Sequence, residues 1–364
     1  MTEATPVSVI TGFLGSGKTT LMRRLLRDPA MGRTAVIINE FGEIGIDHDL
    51  IESSDENFIE LTTGCLCCKV RSDLVMTLRD MARRRAAGEL PPFERVLIET
   101  SGLADPAAIL QALMIDRDLA GLYVLGVVVT TVDSVLGLDT LARHRQSARQ
   151  VQVADRILLT KGDLAPPAAG LLDRLERLNP GARRFQVQQG EIAAATLFDG
   201  EAGAAPARRA GFLRIDEVLA PSIAGLTGGA STPVHDPDIG SWCLVRERPL
   251  HALTLALFLE GLMEHCGDRL LRVKGIVDVV EEPGRPAVLH GVQHVVHPPQ
   301  WLDRWPSEDR RTRIVFIGER IPARWISTLL EVLDDDVGRA QARHAAALRA
   351  GSKLESQGSA QGEP

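Results

Sequence analysis

The stretch Val7-Ser8-Val9-Ile10-Thr11-Gly12-Phe13-Leu14-Gly15-Ser16-Gly17-Lys18-Thr19-Thr20 decides how this chain is read. Four apolar or β-branched-rich residues lead into a loop with glycines at 12, 15 and 17. A Lys-Thr pair then opens an amphipathic segment, Lys18–Arg27. The pattern G-x-x-x-x-G-K-[ST] between a strand and a helix is a phosphate-binding loop. Its glycines let backbone amides turn inward around phosphate oxygens. Gly12, Gly15, Ser16, Gly17 and Thr20 frame the loop, and Lys18 brings a positive charge to the β- and γ-phosphates. The Thr19 hydroxyl is placed to ligate Mg²⁺, and the helix N-terminus favours the same anion.

Outward from this loop, short apolar runs alternate with helical patterns. Val7–Ile10, Ala35–Ile38, Arg95–Glu99, Leu122–Val129 and Arg156–Leu159 read as strands apolar on both faces, as buried parallel strands are. Lys18–Arg27, Ser72–Arg85, Pro106–Ile115 and Ala168–Leu178 read as helices. The expectation is an α/β P-loop NTPase domain with a doubly wound, mostly parallel sheet, followed by a smaller α+β C-terminal domain. The first domain is expected over residues 1–225 and a linker, rich in Gly, Ser and Pro, over 226–240. The second is expected over 241–335 and a helical or disordered tail over 336–364. In the second domain Trp242–Glu247, Leu270–Val280, Ala287–His297 and Arg313–Ile317 read as strands. Leu250–His265 and Ala323–Leu333 read as helices.

Two further motifs end strands of the first domain. Glu99 follows Val96-Leu97-Ile98 and precedes Thr100-Ser101-Gly102, which suits a carboxylate on the Mg²⁺ side of the phosphates. Gly102 is then placed to offer its amide to the γ-phosphate. Thr160-Lys161-Gly162-Asp163 follows Arg156–Leu159. There the Asp163 carboxylate can accept hydrogen bonds from guanine N1–H and its exocyclic amine, which adenine lacks, while Lys161 lies along the base. GTP is therefore expected over ATP. Thr160 stands where Asn is usual, so one stabilising side-chain contact is expected to be weaker. Val187, after the next strand, is a candidate backbone contact to the base.

Five cysteines are present, and Cys65, Cys67 and Cys68 fall within four residues after Gly64. Three thiols this close can converge on one borderline or soft ion, zinc first, with cobalt or copper(I) as alternatives. Glu40 is the candidate oxygen ligand. The competing reading is a buried or redox-active thiol group. Cys243 and Cys266 read as ordinary buried thiols. His290 and His294 share one face of a predicted strand and His297 the other, more in keeping with solvated or core histidines than with a site. Arg83-Arg84-Arg85 ends a helix, where cations suit the dipole.

Bulk properties narrow the partners. The net charge is −7 and aromatics are 4% of the chain, which speaks against nucleic acid or anionic membrane as a partner. No signal peptide or spanning stretch is visible, so a cytoplasmic protein with reduced cysteines is expected.

Taken together, Gly12–Thr20, Asn39–Gly42, Gly64–Cys68, Glu99–Gly102 and Thr160–Asp163 resemble the CobW-type (CobW/HypB/UreG-related) metallochaperone GTPases. Asp238–Ser241, Arg248–Leu250, Arg272–Gly275 and Arg313–Gly318 resemble that family's C-terminal domain. The resemblance covers roughly residues 6–335. It implies GTP/GDP with Mg²⁺ and slow GTP hydrolysis, with Lys18, Thr19 and Glu99 as the hydrolytic set. It also implies a transition metal at the cysteine motif, released to a client metalloprotein under nucleotide control. A homodimer is compatible with this reading. The histidine-rich stretch of many relatives is missing, since His235 stands alone in the linker. The competing functions are a metal sensor or store indifferent to hydrolysis, a cobalt or iron insertion factor for a cobalamin-pathway or nitrile hydratase-like client, and a small-molecule kinase.

Overall fold

Thr5–Gly12 forms β1, the strand on which the first sheet is assembled. The computed structural model describes residues 4–39, 59–62, 70–116, 119, 121–198, 239–267, 269–292, 295–296 and 299–359. The chain continues through α1 (Lys18–Leu25), β2 (Thr34–Asn39), β3 (Ile59–Thr62), α2 (Val70–Ala86), β4 (Arg95–Thr100) and α3 (Pro106–Ile115). It then forms β5 (Tyr123–Asp133), α4 (Gly137–Arg143), α5 (Arg145–Gln152), β6 (Arg156–Thr160), α6 (Leu171–Leu178), β7 (Arg183–Gln186) and α7 (Ala194–Leu197).

The seven strands lie in the order β3-β2-β4-β1-β5-β6-β7, and every pairing is parallel. Successive residues feed opposite faces, as the pleat requires. Val7, Val9, Ala35, Ile37, Val96 and Ile98 pack with α2 and α3 on one side. Ile10, Val36 and Leu97 pack with α1 on the other. The apolar runs of the sequence are continuous because both faces are covered. β1 is flanked by β4 and β5, so connections diverge from it in both directions, and a crevice opens at its carboxyl end.

A second domain follows: β8 (Ile239–Arg246), α8 (Ala252–Cys266), β9 (Leu270–Val277), β10 (Ala287–Val292), β11 (Val295–Val296), β12 (Gln300–Trp301), β13 (Thr312–Glu319) and α9 (Ala323–Ser359). Its sheet is antiparallel, in the order β11-β10-β9-β13-β8 with β12 on β10. Phe258 and Leu262 of α8 and Ile326 and Leu330 of α9 cover one face, over Val273, Leu289 and Phe316. This is the expected α+β layer.

Several elements differ from the sequence expectation. The single strand read over Ala287–His297 is a hairpin, β10 and β11, so the period-two relation between His290 and His294 does not run through it. His294, His297 and residues 226–238 of the expected linker lie outside the described residues, while Ile239 and Gly240, read as linker, begin β8. β3 was not anticipated, and the closing helix runs to Ser359, through the Ala-, Arg- and Leu-rich stretch after Gly338 and past Gly351. Among the described residues no helix is long and apolar enough to cross a membrane.

The two domains meet across the opposite face of the second sheet. Asp155, between α5 and β6, has a fully buried side chain. Its Oδ2 accepts the Val128 amide at 2.8 Å. Its Oδ1 accepts from Arg272 Nη2 at 2.7 Å and from the Lys274 ammonium, both on β9. Burial alone would raise the Asp155 carboxyl, but the charges of Arg272 and Lys274, the Lys274 hydrogen bond and the Val128 amide together hold it below the usual carboxylate range. Lys274, largely withdrawn from water and beside Arg272, is pushed down to about 7.

Removing Asp155 takes away the carboxylate that Arg272, buried, and Lys274, part-buried, share at the domain boundary. Asp155→Asn is expected to cost about 3–5 kcal/mol in urea unfolding at neutral pH. Because the folded pKa is depressed, the stabilisation is complete above the unfolded value of about 4 and is lost as pH falls below it. The variant should therefore lose much of the wild-type decline in stability between about pH 5 and pH 2. An acid limb identical to wild type would refute this assignment.

Candidate nucleotide site

The loop after β1 is shaped by crowding. Gly12 sits at φ 144°, and a Cβ there would lie 2.3 Å from Thr131 Oγ1 and 2.7 Å from Ser16 Oγ. Only glycine fits. Gly15 and Gly17 also take positive φ, 71° and 95°, and Gly17 leads directly into α1. Ser16 Oγ and Thr131 Oγ1 are 2.7 Å apart, which ties the loop to the end of β5. The Lys18 ammonium curls over the loop, donating to Gly12 O at 3.0 Å and Phe13 O at 3.2 Å. A cation is thus held at the centre of a ring of inward-turning backbone.

Glu99 comes to this loop by strand register, since Ile10 pairs with Glu99 across β1 and β4. Its carboxylate is nearly buried, and Oε1 accepts from the Thr19 hydroxyl at 2.9 Å. Two oxygen donors at the edge of a phosphate loop form a hard-ligand set that fits Mg²⁺. One residue farther on, Thr100 donates to Thr11 Oγ1 at 2.8 Å. Gly102 lies against the loop so closely that a Cβ would approach Leu14 N at 2.7 Å.

Thr160 ends β6, and its hydroxyl donates to Ser16 O at 2.8 Å, with Val132 O at 3.2 Å. Thr160, expected to give a weaker contact than Asn, makes this one directly to the phosphate loop. The short hydroxyl reaches the phosphate loop because the two loops are in contact, with the position of a Gly17 Cβ 3.5 Å from Thr160 Cγ2. Lys161 follows at φ 59°, and its Nζ donates to Asp133 Oδ2 at 2.7 Å. Asp133 was not singled out in the sequence. It ends β5 as Glu99 closes its apolar run in β4, and its Oδ1 accepts the Val135 and Leu136 amides. Burial raises the Asp133 carboxyl, but the Lys161 bond and the two amides outweigh it, so the net shift is downward. Asp163 is exposed at the mouth of the loop. Val187 is buried and its amide donates to Leu159 O, so only backbone near it can meet a base. Thr20 is exposed on α1, and its carbonyl lies 3.1 Å from where a Gly190 Cβ would sit.

Glu40, Cys65, Cys67 and Cys68 lie outside the described residues. The strands that bracket them are described. Ile38 pairs with Glu99 and Asn39 with Thr100, and Thr62 pairs with Ile38. The carboxyl ends of β2 and β3, from which both segments continue, are therefore level with the Glu99 end of β4. Among the described residues no cluster of three metal-ligating side chains occurs. Cys266 is buried in the second core, and burial pushes the Cys243 thiol up to about 12, as inert thiols require. Arg83 at the end of α2 pairs with Asp80.

Comparison with known proteins agrees with this geometry. Residues 6–186 match the CobW/HypB/UreG nucleotide-binding domain, and residues 239–333 match the cobalamin synthesis protein CobW C-terminal domain. The zinc chaperone YjiA of Escherichia coli is 33% identical over 318 residues, covering 87% of this chain and 94% of that one. The zinc chaperone CobW of a Sinorhizobium species is 30% identical, covering 86% and 92%. A crystal structure of Zn(II)-bound YjiA GTPase from E. coli superposes with a TM-score of 0.64 at 27% identity, covering 91% of this chain and 99% of that one. With both domains matched in order and a relative 33% identical over 87% of the chain, the chain belongs to the CobW/HypB/UreG family.

Proposed function

We propose that this GTPase is a metallochaperone, which binds zinc as cargo and passes it to a client metalloprotein under control of the bound nucleotide. The observation that carries the proposal is the adjacency of strand ends. Glu99, hydrogen-bonded to Thr19, sits beside Ile38, one residue before Asn39 and two before Glu40. The segment that leads to Cys65, Cys67 and Cys68 continues from Thr62, itself paired with Ile38. A change in phosphate occupancy therefore acts next to the segments that carry the cargo ligands.

In this reading Lys18 releases the Gly12 and Phe13 carbonyls and turns to the β- and γ-phosphates of GTP. Thr19 and Glu99 would hold Mg²⁺, which when bound offsets phosphate charge. Gly102 offers its amide to the γ-phosphate, while Asp163 accepts from guanine and Lys161, braced by Asp133, lies along the base. Water attacks the γ-phosphorus, the bond to the bridging oxygen breaks, and GDP and phosphate leave. No side chain is assigned as general base, which suits slow intrinsic turnover. Three thiolates with a carboxylate from Glu40 suit zinc, with cobalt as the competing cargo.

Zinc titration with GMPPNP·Mg²⁺ and with GDP·Mg²⁺ tests the coupling. A chaperone requires affinities that differ between the two states, because an effector shifts only what it binds differentially. Equal affinities would favour a sensor or store. Cys67→Ser should lower zinc affinity by more than the roughly 10–100-fold typical of changes behind the ligands. Unchanged zinc content would remove the cysteine motif from the proposal.

The Thr160 contact has its own test. Thr160→Val should weaken guanine-nucleotide binding by about 5–150-fold, the equivalent of the ~1–3 kcal/mol for an orphaned buried acceptor. Thr160→Asn, which keeps a donor, should bind within a few-fold of wild type. Fluorescent-nucleotide titration reads both, and equal binding by all three proteins would show that the contact is idle.

A further inference from the structure

α5 touches three parts of the molecule at once. His144, its N-cap, stacks on Phe13 of the phosphate loop with ring centroids 4.4 Å apart. Gln150 is fully buried, and its Nε2 donates to Gly102 O at 3.1 Å and Ala104 O at 3.2 Å. Gln150 thereby grips the loop that follows Glu99. Arg149 Nη1 donates to Asp105 Oδ2 at 2.9 Å, and Asp105 caps α3 through the Ala107 amide. The other end of the same guanidinium faces the second domain, with Nη2 3.5 Å from Glu319 Oε1 at the end of β13. Arg145, one turn earlier, pairs with the same Glu319 carboxylate.

We infer that α5 couples the nucleotide to the second domain, with Arg149 as the positioning residue that joins the Gly102–Asp105 loop to Glu319. A single planar guanidinium holding one carboxylate on each side transmits a shift of either partner to the other, because its fork geometry is fixed. Gln150 makes the loop move with the helix, since a shift of the Gly102–Ala104 loop away from it breaks two hydrogen bonds, the one to Gly102 buried. Glu319 makes the second sheet move with it. The Asp155 cluster at the carboxyl end of the same helix gives the domains a fixed pivot about which such motion is small and defined. The inference rests on the proposal that Gly102 senses the γ-phosphate and is independent of which metal is carried.

Coupling is reciprocal, so a change in the second domain must alter nucleotide preference. Glu319→Gln is the informative variant, because Glu319 contacts α5 and touches neither the phosphate loop nor the base loop. Affinities for GDP·Mg²⁺ and GMPPNP·Mg²⁺ are measured on the full chain for wild type, Glu319→Gln, Arg149→Ala and the double variant. The ratio of the two affinities should shift by about 2–30-fold in each single variant, the range seen for residues that carry coupling. The double variant should shift it no further than the larger single change. Hydrogen exchange gives a second readout: amides of β13 should differ between the two nucleotide states in wild type and lose that difference in Glu319→Gln. A merely structural ion pair would lower the melting temperature and leave the ratio unmoved, and that result with retained nucleotide binding overturns this inference alone. A wild-type chain without affinity for guanine nucleotides would overturn the nucleotide reading as well.

Discussion

The lack of room at Gly12 is the constraint on which the rest of the structure depends. Thr131 stands where any Cβ would go, so the chain leaves β1 in a backbone conformation that only glycine adopts. From that forced exit the loop closes over Lys18, and α1 begins at Lys18. Thr131 occupies this place because β5 continues in register beside β1 as far as Gly12. The strand reaches that far because its threonines find partners: Thr130 donates to Gln150 O, and Thr131 lies 2.7 Å from Ser16. The phosphate loop is therefore built as much by residues 130–131 and 160 as by its own glycines.

Much of this was legible in the sequence, and the reasons are local. Apolar runs such as Val96-Leu97-Ile98 announce strands covered on both faces, and Glu99 at the end of one announces a carboxylate at the crevice. The glycines at 12, 15 and 17 are a spacing, and spacing survives in one dimension. What was not legible depends on distance along the chain. The partner of the Thr160 hydroxyl is 144 residues away, so nothing near Thr160 reveals that a short side chain suffices. Asp133 carried the same signal as Glu99, but its partner Lys161 is 28 residues on. β3 has four residues and lies at the sheet edge, too short for a pattern to declare itself. The partners of Gln150 and Arg149 at Gly102 and Asp105 lie 48 and 44 residues back along the chain, and Glu319, the other partner of Arg149, lies in the second domain.

The second domain is more than an appendage to a nucleotide switch. Its α8 and α9 bury one face of the sheet, while the other face carries Arg272 and Lys274 into the first domain. Val292 joins the core of the first domain, and Val295, partly buried, packs against it. One boundary thus combines a buried ionic cluster with direct core contact.

The Asp155 cluster also has a consequence for the order in which the protein is made. The carboxylate and Lys274 are separated by 119 residues. At a synthesis rate of about 5–20 residues per second, roughly 6–24 s pass between the emergence of Asp155 and that of its partner. The first sheet can form in that interval, because β1 through β7 are complete by Gln186. During it, the nascent domain presents a carboxylate on what will become an interior surface, and water solvates it there. Charge at that spot discourages premature burial against other newly made chains, until the second domain arrives with its cations.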